Sequence, residues 1–153
     1  MSDRYLCLFP SDPQYVPEAG AQQAGLALFQ SFLPETDAEN FKMDVFDTVQ
    51  VVHPIQNLYQ ISCPVCRAQV DEDWWYKTLN DLYDVRAGFA RLLIRMPCCG
   101  ATCSLNDLKY QEPVGFARYY VEVLYPDRDL TEDELEQLEQ ALGCHLRKTW
   151  KRY

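Results

Sequence analysis

Two histidines in 153 residues leave little room for imidazole chemistry. Neither His53, ahead of Pro54, nor His145 belongs to an HExxH, a CxxCH or a nucleophile–base pattern, and both read as structural or surface residues. A phosphate-binding loop, a dinucleotide fingerprint and a GxSxG elbow are missing too, so no enzyme is expected. No apolar run approaches the ~18 residues of a membrane span. The opening MSDRYLCLFPSDP lacks the apolar core of a signal peptide, and the chain is expected to be cytoplasmic, with no membrane partner.

Positive charge is also scarce. Fourteen Lys and Arg face 23 Asp and Glu, for a net charge of −9. Four of the cations, Arg147, Lys148, Lys151 and Arg152, sit in the last ten residues, which leaves ten basic against 23 acidic groups in the preceding 143. Such a body repels a phosphate backbone and favours a basic partner.

Hydrophobic residues make up 48% of the chain and aromatics 13%, enough for a packed core in a single domain spanning 1–153. Strands are expected at 4–10, 45–55, 57–62, 88–96, 115–126 and over HLRKTWKRY, and helices at 17–34, 71–84 and 131–143. The last helix has the strongest local signals: Thr131 and Glu134 form a capping box and Gly143 supplies the stop. Ser104 opens a capped turn at SLNDL. In 17–34, Ala24, Leu28 and Leu33 with Phe29 and Phe32 form the apolar stripe. In 115–126, Ala117, Tyr119, Val121 and Val123 face one side, Arg118 and Glu122 the other. The class expected is α+β: a mostly antiparallel sheet with flanking helices and a zinc-ribbon-like hairpin, the latter an element at 58–104 inserted in the domain. The β-α-β order at the C-terminal end allows one parallel pairing.

Cysteine is where the sequence is rich. Five of seven lie in two clusters, CPVC at 63–66 and MPCCGATC at 96–103, each behind an expected strand. Two turns that each offer a pair of thiolates make a tetrahedral, closed and therefore structural zinc site. In a reducing compartment that reading outranks disulfides. A thioredoxin-like redox pair is disfavoured, because CPVC is not followed by the helix of a βαβ unit. Cys63 and Cys66 supply the first pair. Cys98, Cys99 and Cys103 compete for the second, and spacing alone favours Cys99 with Cys103. His53 is a minor alternative ligand, and Cys7 and Cys144 are expected in the core.

The segments YLCLFPSDPQYVP, SCPVC, WW, MPCCGATCSLNDL, GFARYYVEV and LGCHLRKTW together resemble a family of uncharacterised small bacterial proteins with a CPxC…WW…PCCG…SLNDL…GFAR pattern. The likeness runs through most of the chain. It implies that the adjacent Cys98 and Cys99 complete the zinc site with Cys63 and Cys66, leaving Cys103 as the alternative ligand. It also implies, through members that look like partners neutralising secreted toxins, an immunity-type inhibitor that blocks the basic active-site surface of a toxin or effector enzyme. The expected partner surface is Asp71, Glu72, Asp73, Trp74 and Trp75, since an exposed tryptophan among acids suits an interface. Acids of 127–139 are a further candidate. The competing expectation is a nucleic-acid-binding zinc ribbon using the basic C-terminal segment and nearby aromatics.

Overall fold

The computed structural model describes residues 3–153. In chain order the elements are β1 (Arg4–Pro10), α1 (Ala19–Phe32), β2 (Phe41–Val52), β3 (Ile61–Ser62), α2 (Glu72–Leu82), β4 (Leu93–Arg95), β5 (Thr102–Ser104), β6 (Lys109–Tyr110), β7 (Gly115–Leu124), α3 (Glu132–Leu142) and β8 (Leu146–Arg152). The class is α+β, as expected.

Four long strands form the main sheet in the order β2-β7-β1-β8, with every neighbouring pair antiparallel. Helix α1 joins β1 to β2 and α3 joins β7 to β8. In both units the joined strands run the same way but are held apart by a strand of the other unit. This interleaving is the split βαβ arrangement of ferredoxin-like folds. The parallel pairing allowed by the sequence does not form, because β1 occupies the place between β7 and β8.

The helices cover one face of the sheet. Leu6, Leu8, Tyr119, Val121, Val123 and Leu146 from the strands meet Phe29, Leu33, Leu138 and Leu142 from and beside the helices, all buried. Each such side chain stabilises the fold by ~1.5–3 kcal/mol through apolar burial. The buried stripe of α1 is centred on Gly25 and Phe29, and Ala24 faces solvent. The displacement follows from Gly25, whose missing Cβ would stand 2.6 Å from Leu142 Cδ2 at the helix–helix crossing.

On the other face the alternation of β7 does not lead to water. Glu122 is buried and lies 3.0 Å from Lys151 Nζ, an ion contact whose two side chains are only 7% and 9% exposed. The Lys151 ammonium also sits 4.5 Å from the centre of the Tyr120 ring.

Residues 53–114, between β2 and β7, form the inserted part, longer than the 58–104 foreseen. It holds two short pairings, β3 with β6 and β4 with β5, and the helix α2. Its core (Ile61, Val70, Trp75, Leu79, Phe89, Ile94, Met96, Leu105) is continuous with Val49 and Phe116 of the sheet. Polar contacts clamp it to both sheet edges. On β8 the Trp150 N–H donates to Glu112 Oε1 (2.6 Å) and the Arg152 N–H to the Pro54 carbonyl (3.1 Å). On β2 the Val49 carbonyl accepts from the Phe89 N–H at 2.9 Å. These contacts blunt edges that would otherwise invite strand pairing. They also account for the short strands of the insertion: residues 88–92, expected as strand, instead carry the left-handed Gly88 and the contact to β2.

Candidate metal centre

The cysteine clusters fold into two copies of one turn. In the first, the Cys63 N–H donates to the Ala68 carbonyl (2.9 Å) and the Arg67 N–H to the Cys63 carbonyl (3.0 Å). In the second, the Met96 N–H donates to the Ala101 carbonyl (2.8 Å) and the Gly100 N–H to the Met96 carbonyl (3.0 Å). The fifth residue of each is left-handed, Arg67 at φ 66° and Gly100 at φ 74°. A proline, Pro64 or Pro97, stands second in both and pre-sets its own φ. The first turn bends the β3 segment back so that Ser62 bridges Gln69, and the second joins β4 to β5.

The turns face each other and bring four sulfurs together. The Sγ atoms of Cys63, Cys66, Cys98 and Cys99 all lie within 4.8 Å of one another. Cys63 and Cys99 are 3.8 Å apart, Cys66 and Cys98 3.3 Å. A tetrahedron of thiolates at ~2.3 Å from a zinc ion has edges of ~3.8 Å, so this set fits such an ion. The donor chemistry, four thiols with no carboxylate or imidazole, suits a soft or borderline metal. The N–H groups of Cys66 and Val65 pull the Cys63 thiol down to about 6, against the desolvation of its site. Its hydrogen bond with Cys66, then burial, pushes Cys98 up to about 12. Cys63 is fully buried, whereas Cys66, Cys98 and Cys99 are exposed. The guanidinium of Arg95 lies against Gly100, the residue after Cys99.

The adjacent pair, not the spaced one, joins the cluster. Cys103 is buried in β5 opposite Ile94 and packs in the core of the insertion, where burial raises its thiol. Cys7 is fully buried in the sheet, and Cys144, half-buried, packs beside the helical core. His53 does not join the donors: its Nδ1 accepts the Ile55 N–H at 2.8 Å and its Nε2 meets the Tyr76 hydroxyl at 2.9 Å.

The five residues expected at a partner surface separate. Trp75 is fully buried, donates from Nε1 to the Tyr110 hydroxyl (3.1 Å) and cannot serve as an exposed anchor. The i to i+1 turn of ~100° leaves Trp74 half-buried against the same core. Asp71, Glu72 and Asp73 are exposed at the start of α2, with Asp71 as its N-cap. They take part in no ion pair among the described residues. Beside them is a cavity of about 330 Å³ lined by Tyr59, Gln60, Ile61, Gln69, Val70, Asp71 and Glu72. Sequence reading missed Tyr59, a half-exposed residue that lines this cavity; only the adjacency of an aromatic and acids across the first cysteine turn could have signalled it.

The cations of the last strand are largely engaged within the protein. Arg147 donates to the Asn106 carbonyl (2.7 Å), Lys148 pairs with Asp129 (2.9 Å) and Lys151 with Glu122. Among the described residues no helix is long and apolar enough to cross a membrane. The chain matches no family model, and no curated protein or solved structure is significantly similar to it.

Proposed function

We propose that this chain is a zinc-stabilised protein-binding module, and that it works as an immunity-type inhibitor covering the basic active-site surface of a bacterial toxin or effector enzyme. One observation carries the reading: the half-exposed Tyr59 and the acids Asp71 and Glu72, which form no ion pair among the described residues, line one cavity beside α2. An aromatic face and two carboxylates make a receptor for a Lys or Arg side chain. The four thiols support a structural role for the metal, since a closed tetrahedral site offers no open position to a substrate. The overall negative charge would speed encounter with a basic protein. Zinc here holds the insertion in shape, and the insertion presents the acids.

The test is capture by the purified chain from its own source cells at low and high salt, followed by assay of the captured protein. The reading expects one stoichiometric basic partner whose enzymatic activity falls on adding the chain. It also expects the double variant Asp71→Lys/Glu72→Lys to lose capture while keeping its metal. Capture unaffected by that charge reversal, or recovery of nucleic acid alone, would overturn it.

A further inference from the structure

Aligning the two turns residue by residue places Met96 where the first has Cys63, Cys99 where it has Cys66, and Cys98 where it has Val65. The position of Val65 points to water, with 62% of that residue exposed. Cys98 thus enters the cluster from the outward side of its turn, while the inward first position holds the buried thioether residue Met96. Three of the four thiols, Cys66, Cys98 and Cys99, are exposed. The shorter of the two cross-turn contacts, 3.3 Å, joins two of these, Cys66 and Cys98.

We propose that Cys66 and Cys98 form a peroxide-sensitive dithiol whose oxidation ejects the metal. The inference rests on the metal reading of the four cysteines. Hydrogen peroxide is the oxidant. In the metal-loaded chain, where coordination would keep the sulfurs deprotonated, the Cys98 thiolate attacks one peroxide oxygen, an S–O bond forms, the O–O bond breaks, and the departing hydroxide takes a proton to become water. The Cys66 thiolate then attacks the Cys98 sulfur. An S–S bond forms, the S–OH bond breaks, and a second hydroxide leaves as water. Two thiolates lose two electrons, the peroxide gains them, and the ion is left with two of its four ligands. The sulfurs need close only ~1.3 Å to reach bonding distance. Exposure admits the oxidant, and the buried Cys63 is spared. Reduction of the disulfide by a dithiol restores the site.

The experiment is graded hydrogen peroxide on the purified chain, with metal content measured beforehand. Released zinc is followed with a chromogenic chelator, and disulfides are mapped by mass after digestion without reductant. The measurement before peroxide tests the metal reading by itself. Disulfide mapping on the zinc-loaded chain tests the dithiol by itself. The proposal expects Cys66–Cys98 as the first disulfide in the zinc-loaded chain, about one zinc released per disulfide, and zinc rebinding after reduction. The Met96→Cys/Cys98→Val double variant, which restores a CPVC turn, should release zinc at least ~5-fold more slowly. A first disulfide at Cys63–Cys99, or zinc retained after Cys66 and Cys98 are oxidised, would overturn it. The mapping on the unaltered sequence decides the matter even if the double variant does not fold.

Discussion

Met96 and Cys63 occupy the same position in two copies of one hydrogen-bonded turn, the first residue of MPCCG and the first of CPVCR. That equivalence explains why the second cysteine pair of the cluster is a CC and not a CxxC. The turn has kept its proline and its left-handed fifth residue but has moved one thiol from the first position to the third.

The ligand set predicts a sharp contrast among cysteine variants. Cys63→Ser, Cys66→Ser and Cys99→Ser should each lower bound zinc well below one per chain and reduce the melting temperature. Cys103→Ala should retain one zinc, because its thiol lies in the core of the insertion and outside the sulfur cluster. Elemental analysis of each purified variant checks this.

The buried pair on the second sheet face makes a prediction of opposite signs. Lys151→Met leaves Glu122 buried and unpaired, and should cost ~3–5 kcal/mol in chemical denaturation. Replacing both residues, as Glu122→Leu/Lys151→Met, should return most of that loss, since a well-packed apolar pair is often no worse than a buried ion pair.

Gly115 is where β7 passes over Phe9. A Cβ there would stand 2.1 Å from Phe9 Cε2, and Phe9 is fully buried with no room to withdraw. Gly115→Ala should destabilise by ~1–3 kcal/mol, an overpacking cost, without changing metal content. Urea unfolding at equal zinc loading measures it.

His53 links the end of β2 to α2 and should make stability depend on pH. Desolvation first, then the charge of Lys151, lowers its pKa in the fold. Its Nδ1 accepts a backbone N–H, which a protonated ring cannot do. A depressed histidine binds fewer protons folded than unfolded. Its contribution is therefore present above the unfolded value near 6.5 and is lost as pH falls from there through the lowered folded value. The slope of unfolding free energy between pH 7 and 5 should be steeper in the parent chain than in His53→Asn.

Local signals in the sequence survive into the structure. Thr131 and Glu134 make their reciprocal capping bonds, and Gly143 closes α3 in the left-handed conformation. Ser104 caps as its position suggests, whereas Asp71, expected inside the helix at 71–84, is its N-cap. The cysteine clusters are legible as a shared site because thiols so placed have few other uses in a reducing environment. What is not legible depends on distant pairing. Glu122 reads as an outward residue of an alternating strand, and only the register that sets β7 and β8 on either side of β1 brings Lys151 to it. The choice of Cys98 over Cys103 follows the geometry of the turn; a spacing rule that counts residues between thiols misses it, and the family resemblance alone pointed to the set that comes together. Trp74 and Trp75 can be told apart only once the core under α2 is in place.

Sulfur coordination is the most direct test of the account. X-ray absorption at the zinc edge of the purified chain should show four sulfur neighbours at ~2.3 Å and no nitrogen or oxygen. The same measurement on the fraction of zinc that Cys98→Ser retains should show three sulfurs, with an oxygen in the vacated place. Four sulfurs persisting in Cys98→Ser would contradict the assignment of Cys98, and a first shell dominated by nitrogen or oxygen in the parent chain would contradict the site itself.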